Sequence, residues 1–116
     1  MENTIKKILK QMRFDVSLMG FELWVQLIKN VYKDMKYTVP CRKNRIIIED
    51  YYNSMAVRNF TTRNSIERNL RTSVSDRKER IQQYFSYYDK KITNRRFLML
   101  MIEELKRRGV WFIWIL

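Results

Sequence analysis

Arg58-Asn59-Phe60-Thr61-Thr62-Arg63-Asn64-Ser65-Ile66-Glu67-Arg68-Asn69-Leu70-Arg71-Thr72-Ser73-Val74 holds the clearest structural signal in the chain. Asn59, Thr61 and Thr62 suit a turn and a helix N-cap, because their side-chain oxygens accept backbone N–H bonds that a helix start leaves open. Ile66, Leu70 and Val74 then recur at i, i+4 and i+8. That spacing predicts a helix from about Arg63 to Val74 with one apolar stripe. An advance of about 100° per residue places Asn64, Arg68, Arg71 and Ser75 on the opposite side.

The same periodicity extends in both directions and predicts six helices. Upstream, Ile5, Ile8, Leu9 and Met12 form one stripe, and Phe21, Trp24, Val25, Leu27, Ile28, Val31, Tyr32 and Met35 form a longer one. Ser17-Leu18-Met19-Gly20 reads as the break between them. Thr38-Val39-Pro40 reads as the stop of the second helix, since the residue before proline is pushed out of the α region. A short basic loop, Arg42 to Arg45, follows, and Ile46-Ile47-Ile48 leads into a third helix carrying Tyr51, Tyr52 and Met55. Downstream, Ile81, Tyr84 and Phe85 mark a short fifth helix. Thr93-Asn94 caps a sixth that carries Phe97, Leu98, Met101, Ile102 and Leu105 inward, with Lys106, Arg107 and Arg108 complementing its C-terminal dipole and Gly109 ending it.

Composition narrows the class. The chain has 116 residues, 46% of them apolar and 14% aromatic, which is material for one domain with a real core. Two glycines and one proline leave too few turns for an all-β sandwich or barrel. An all-α, six-helix domain is expected over residues 1–109, followed by an apolar tail at 110–116. With no histidine and Cys41 alone, the chain lacks the residues for a Ser-His-Asp or Cys-His pair, a disulfide, or a zinc site of the usual ligands. Gly20 and Gly109 cannot form a phosphate-cradling loop. No enzyme activity and no cofactor are expected. The acidic pairs Glu49-Asp50 and Glu103-Glu104 read as solvated helix faces rather than as a general acid and base. The longest apolar runs, 97–102 and 110–116, are far short of a membrane span, and the N-terminus lacks a secretory pattern. A cytoplasmic, nucleoid-associated location is the corresponding expectation.

Twenty-four basic residues against twelve acidic ones give a net charge of +12. The excess is +3, +5 and +4 in residues 1–41, 42–80 and 81–116, so the charge is spread over the folded body rather than carried on a tail. Polyanions are the expected partners. Two helices joined by a short polar turn, the second turning an apolar stripe inward and Asn64, Arg68 and Arg71 outward, match a helix-turn-helix reader of double-stranded DNA. Arginine holds guanine O6 and N7 with two hydrogen bonds, asparagine does the same for adenine, and Glu67 is placed to accept from a cytosine amino group. Thr61, Thr62, Arg63 and Ser65 sit where hydroxyls, a guanidinium and free N–H groups meet phosphates. Arg77 and Lys78 are expected to meet phosphates as well, and with Arg80 they extend the positive surface.

Across three separated stretches the sequence resembles the C-terminal effector domain of the stage-zero sporulation response regulator of endospore-forming bacteria. The stretches are Ile5 to Asp34 with its Gly20-Phe21 step, Thr61 to Arg71, and Thr93-Asn94 followed by Phe97, Met101 and Leu105. The resemblance implies a six-helix fold with an embedded helix-turn-helix, tandem binding to short repeated DNA boxes, and contact with RNA polymerase sigma factor. It also implies that Glu67, Arg68 and Arg71 face DNA. Ser65 stands where the family has arginine, and Ile92 where it has proline. No receiver domain precedes the effector portion here, so the expectation is constitutive action or control by abundance, without a phosphorylation switch.

The run Val110-Trp111-Phe112-Ile113-Trp114-Ile115-Leu116 lies beyond the resembling part. It is expected to fold back onto the core; the alternatives are a self-association surface that would support a homodimer, or weak attachment to anionic lipid through Arg107 and Arg108. A protein-interaction module that antagonises a full-length regulator or sigma factor is the rival function. RNA binding is less favoured, since no stacking sheet or KH loop is present.

Overall fold

The longest apolar stripe builds the central element. In the computed structural model, which describes residues 1–37, 47–89 and 91–110, that stripe is a helix over Met19–Tyr37. In chain order the helices are α1 (Glu2–Gln11), α2 (Met19–Tyr37), α3 (Ile48–Arg58), α4 (Arg63–Asp76), α5 (Lys78–Phe85) and α6 (Asn94–Arg107), with no strand among the described residues. The described residues form an all-α domain of six helices. None of the helices described is long and apolar enough to cross a membrane.

α2 packs against α1, α3, α4 and α6, and α4 also touches α3, α5 and α6. Leu23, Trp24, Val25, Leu27, Ile28 and Val31 lie together in α2, almost wholly removed from solvent. This helix is apolar on more than one side because neighbours cover it from several directions. The Trp24 ring meets Phe97 of α6 edge-on, with centroids 4.8 Å apart, and Phe97 stacks on Phe14 at 5.5 Å. The Trp24 indole N–H donates to the Leu70 carbonyl of α4 at 3.2 Å, so one side chain ties three parts of the core.

Gly20 is not a break. It lies buried in the first turn of α2, where a β-carbon would fall 1.8 Å from Ser73 Oγ, 3.0 Å from the Asn69 carbonyl oxygen and 3.1 Å from Ser73 Cβ. The missing side chain allows α2 and α4 to approach. The interruption falls earlier, at residues 12–18, where the Asp15 carboxylate accepts from the Ser17 hydroxyl at 2.6 Å and the Ser17 N–H at 2.9 Å.

Three helices end in the same way. In α1, α3 and α6 the residue after the C-cap takes a left-handed conformation: Arg13 at φ 66°, Phe60 at φ 54° and Gly109 at φ 66°. In each, the next N–H bonds to the carbonyl five residues back: Phe14 to Leu9, Thr61 to Ala56, and Val110 to Leu105. These bonds satisfy carbonyls that a helix end otherwise leaves open. Thr62 and Thr93 are N-caps as the sequence predicts, accepting from Ser65 N–H and Arg96 N–H, each at 3.1 Å.

Glu104 is not solvated. It is buried, with its carboxylate accepting from Arg107 and Arg108, and from the Tyr84 hydroxyl of α5 at 3.2 Å. Burial pushes this carboxyl up, but the bonds from Arg108, Arg107 and Tyr84 outweigh it and hold it below the ordinary value of 4.5. A depressed carboxyl stabilises the folded state above that value, and the contribution fades as the pH falls through the lower folded one. Glu104→Gln is therefore expected to lower the thermal midpoint at neutral pH. Between neutrality and about pH 3, its midpoint should fall less than that of the wild type. A midpoint that declines in parallel for both chains would exclude this role.

Residues 38–46 and 111–116 lie outside the described residues. The expected stop at Thr38-Val39-Pro40, the basic loop from Arg42 to Arg45 and nearly all of the apolar tail fall there. At the tail's first position, the Val110 carbonyl accepts from the Tyr32 hydroxyl at 2.6 Å.

Candidate nucleic-acid interface

α3 and α4 are joined by four residues, Asn59 to Thr62. The Asn59 amide fixes this turn to the core: it exchanges hydrogen bonds with the Gln26 amide of α2 at 3.0 and 3.3 Å, and donates to the Met55 carbonyl at 2.7 Å. From the turn, α4 runs with Ile66, Leu70 and Val74 fully buried, as their spacing predicts.

The opposite face carries Asn64, Arg68, Arg71, Thr72 and Ser75, all exposed. Arg68 forms no ion pair or hydrogen bond among the described residues. Arg71 lies 3.3 Å from the half-buried Glu67 carboxylate, one helical turn back, and remains 63% exposed. An exposed pair at this spacing contributes only about 0.3–0.5 kcal/mol, so it orients Arg71 without committing it. Thr72 shares the face although the spacing argument does not single it out. Its signal is simply the position four residues after Arg68.

The residues expected to meet phosphates are placed differently from one another. Arg63 grips the Glu49 carboxylate of α3 with both Nε and Nη2, the Nε bond being 2.7 Å, and its guanidinium lies over the Tyr52 ring at 5.2 Å from the centroid. That grip holds the Glu49 carboxyl below its usual range. Arg63 also donates to the Asn64 side-chain oxygen at 3.3 Å. This leaves Asn64 its amide donor and takes one of the two lone pairs on the oxygen that two-point contact with adenine uses. Thr62 spends its oxygen as the N-cap, and its hydroxyl proton is still available to donate. Ser65 is half-buried and accepts from the Asn69 amide at 3.3 Å, and Thr61 is half-buried in the turn. Arg77 donates to the Arg13 carbonyl at 2.6 Å and to the Asp76 carbonyl at 3.3 Å, bracing the end of α1 against the α4–α5 junction. Lys78 opens α5 and is half-buried, while Arg80 is exposed.

A further pair of cations borders the face. Asn94 of α6 is buried and donates to the Glu67 carbonyl at 3.3 Å and to the Tyr52 hydroxyl at 3.1 Å. This brings the start of α6 beside the middle of α4, with Arg95 and Arg96 next along the chain and exposed. The Arg96 guanidinium lies 5.6 Å from the Tyr87 ring centroid. The sequence signal for both is their place directly after the Thr93-Asn94 cap. Their closeness to α4 depends on a contact 27 residues apart. Compared with known protein families, curated proteins and solved structures, the chain matches none.

Proposed function

We propose that this protein is a transcriptional regulator that binds double-stranded DNA and reads the major groove with α4, the second helix of a helix-turn-helix formed by α3 and α4. The observation that carries the reading is the outward face of α4. An unpaired Arg68, the lightly held Arg71 and the hydroxyls of Thr72 and Ser75 project from a helix whose other side is locked into the core. The net charge of +12 supplies the sequence-independent attraction to phosphates. Arg68 and Arg71 read base edges, with Asn64 donating beside them and Glu67 holding Arg71 or accepting from cytosine. Thr61, Thr62, Ser65, Lys78, Arg95 and Arg96 supply the flanking polar and charged groups. Arg63 and Arg77 act mainly as internal braces that fix α4. Membership of the sporulation-regulator effector class, contact with sigma factor, homodimer formation on DNA and a nucleoid location belong to this same proposal.

Fluorescence anisotropy with labelled duplexes at graded salt tests it. Affinity is expected to fall steeply as salt rises. Arg68→Ala is expected to cost about 1–3 kcal/mol on the preferred sequence and little on others, which relaxes sequence preference. Arg63→Ala is expected to weaken all duplexes to a similar degree. Equal losses on every duplex for both variants would remove the base-reading assignment.

One observation favours a second reading, that of a protein-interaction module. Val16, Leu18 and Met19, at the approach to α2, are 58%, 53% and 55% exposed. Under that reading no duplex is preferred over another, and the same titration separates the two.

A further inference from the structure

Phe60 satisfies neither the backbone nor the core. It occupies the left-handed position that ends α3, the place that Gly109 fills at the end of α6. A β-carbon is disfavoured there, and glycine or asparagine is the usual occupant. Its ring is 97% exposed, the most exposed of the large apolar residues among those described. The other non-glycine residues in this conformation, Arg13 and Ser86, are polar and lose nothing by facing water.

The backbone that carries the ring is fixed. The Asn59 amide pins the turn to Gln26 and Met55, while the Phe60 N–H donates to the Val57 carbonyl at 3.3 Å and the Thr61 N–H to the Ala56 carbonyl at 3.0 Å. Val57 itself is 80% exposed, three residues back on α3. The backbone that carries an exposed aromatic ring is thus held in place two residues before the N-cap of α4. With that backbone already fixed, only the ring's own torsions are ordered when a ligand covers it.

Resting on the DNA-binding reading above, we propose that Phe60 is an apolar specificity residue that packs against the C5-methyl group of a thymine at the edge of the groove entered by α4. Charge selects this occupant over a second copy of the chain. Two bodies of +12 repel one another, whereas a duplex attracts the same surface. The thymine methyl is the apolar group that the major groove presents, and phenylalanine is a side chain suited to it.

The test uses the duplex that the wild-type full chain enriches from a random-sequence pool. Phe60→Asn and Phe60→Gly both suit the left-handed backbone, so their thermal midpoints are expected to equal or exceed that of the wild type. Their affinity for the enriched duplex should fall about tenfold, the value of burying much of a Phe ring. Replacing thymines one at a time by uracil, which removes only the methyl, should weaken wild-type binding about fourfold at one or two positions and leave Phe60→Asn unaffected there. Variants that bind as tightly as wild type overturn the proposal while the DNA reading stands. Equal loss on thymine and uracil duplexes overturns the methyl contact. A wild-type dimer in sedimentation that Phe60→Asn dissociates makes the occupant a second copy and overturns it as well. If the wild type enriches no sequence at all, the DNA reading falls, and this inference with it.

Discussion

Trp24→Ala is expected to remove about 3–5 kcal/mol of stability and to lower the thermal midpoint by about 12–20 °C. The side chain is wholly buried, so its loss opens a cavity bounded by α2, α4 and α6. Two terms add to the transfer free energy. The edge-on contact with Phe97 disappears, which also loosens the Phe97–Phe14 stack and the Phe97–Phe85 contact at 6.5 Å. The hydrogen bond to the Leu70 carbonyl disappears too. Trp24→Phe separates these terms. It keeps an aromatic ring in the layer but deletes the N–H, and should cost about 1–2 kcal/mol. A domain of this size has about 5–15 kcal/mol in total, so the alanine variant approaches the limit of folding at physiological temperature. Chemical denaturation of both variants checks the order, and an alanine variant no less stable than the phenylalanine one would contradict it. Because the indole bonds to the backbone of α4 midway along that helix, its loss should also loosen the outward face carrying Arg68 and Arg71.

What the sequence reveals and what it hides divide along contact range. Helix stripes are local, and Ile66, Leu70 and Val74 lie where a repeat of about 3.6 residues puts them. The Thr62 and Thr93 caps are local as well, each reaching an N–H three residues on. The outward placement of Asn64, Arg68 and Arg71 follows from the same geometry. The fate of the basic residues around them does not. Arg63 is drawn to Glu49 across fourteen residues, and Arg77 to the Arg13 carbonyl across sixty-four. No periodicity announces either pairing, since each depends on which helix ends meet. Glu104 lies between these cases. Its partners Arg107 and Arg108 stand at i+3 and i+4, a spacing visible in the sequence, but its burial depends on Tyr84 and the packing of α5.

Gly20→Ala is expected to destabilise the protein by about 1–3 kcal/mol, the reverse of what helix propensity alone dictates. In a helix interior, alanine is favoured over glycine by about 1 kcal/mol. Here the added carbon would sit 1.8 Å from Ser73 Oγ, so the hydroxyl must rotate away and give up its 2.9 Å bond to the Asn69 carbonyl. Rotation does not clear the site. The Asn69 carbonyl oxygen at 3.0 Å and Ser73 Cβ at 3.1 Å are parts of α4 that cannot swing aside, so the two helices must separate by a few tenths of an ångström. The double substitution Gly20→Ala with Ser73→Ala removes the hydroxyl but neither of those two contacts. It should recover part of the loss and leave the pair non-additive by at least about 0.5 kcal/mol. Denaturant midpoints of the two single variants and the double variant measure that coupling directly, and additivity within error would mean that α2 and α4 do not meet at Gly20. The displaced helix is the one that carries Arg68 and Arg71. If α4 reads DNA as proposed, anisotropy on the enriched duplex should therefore show weaker binding by Gly20→Ala even where the protein is fully folded. That loss distinguishes a shift in the outward face of α4 from simple unfolding.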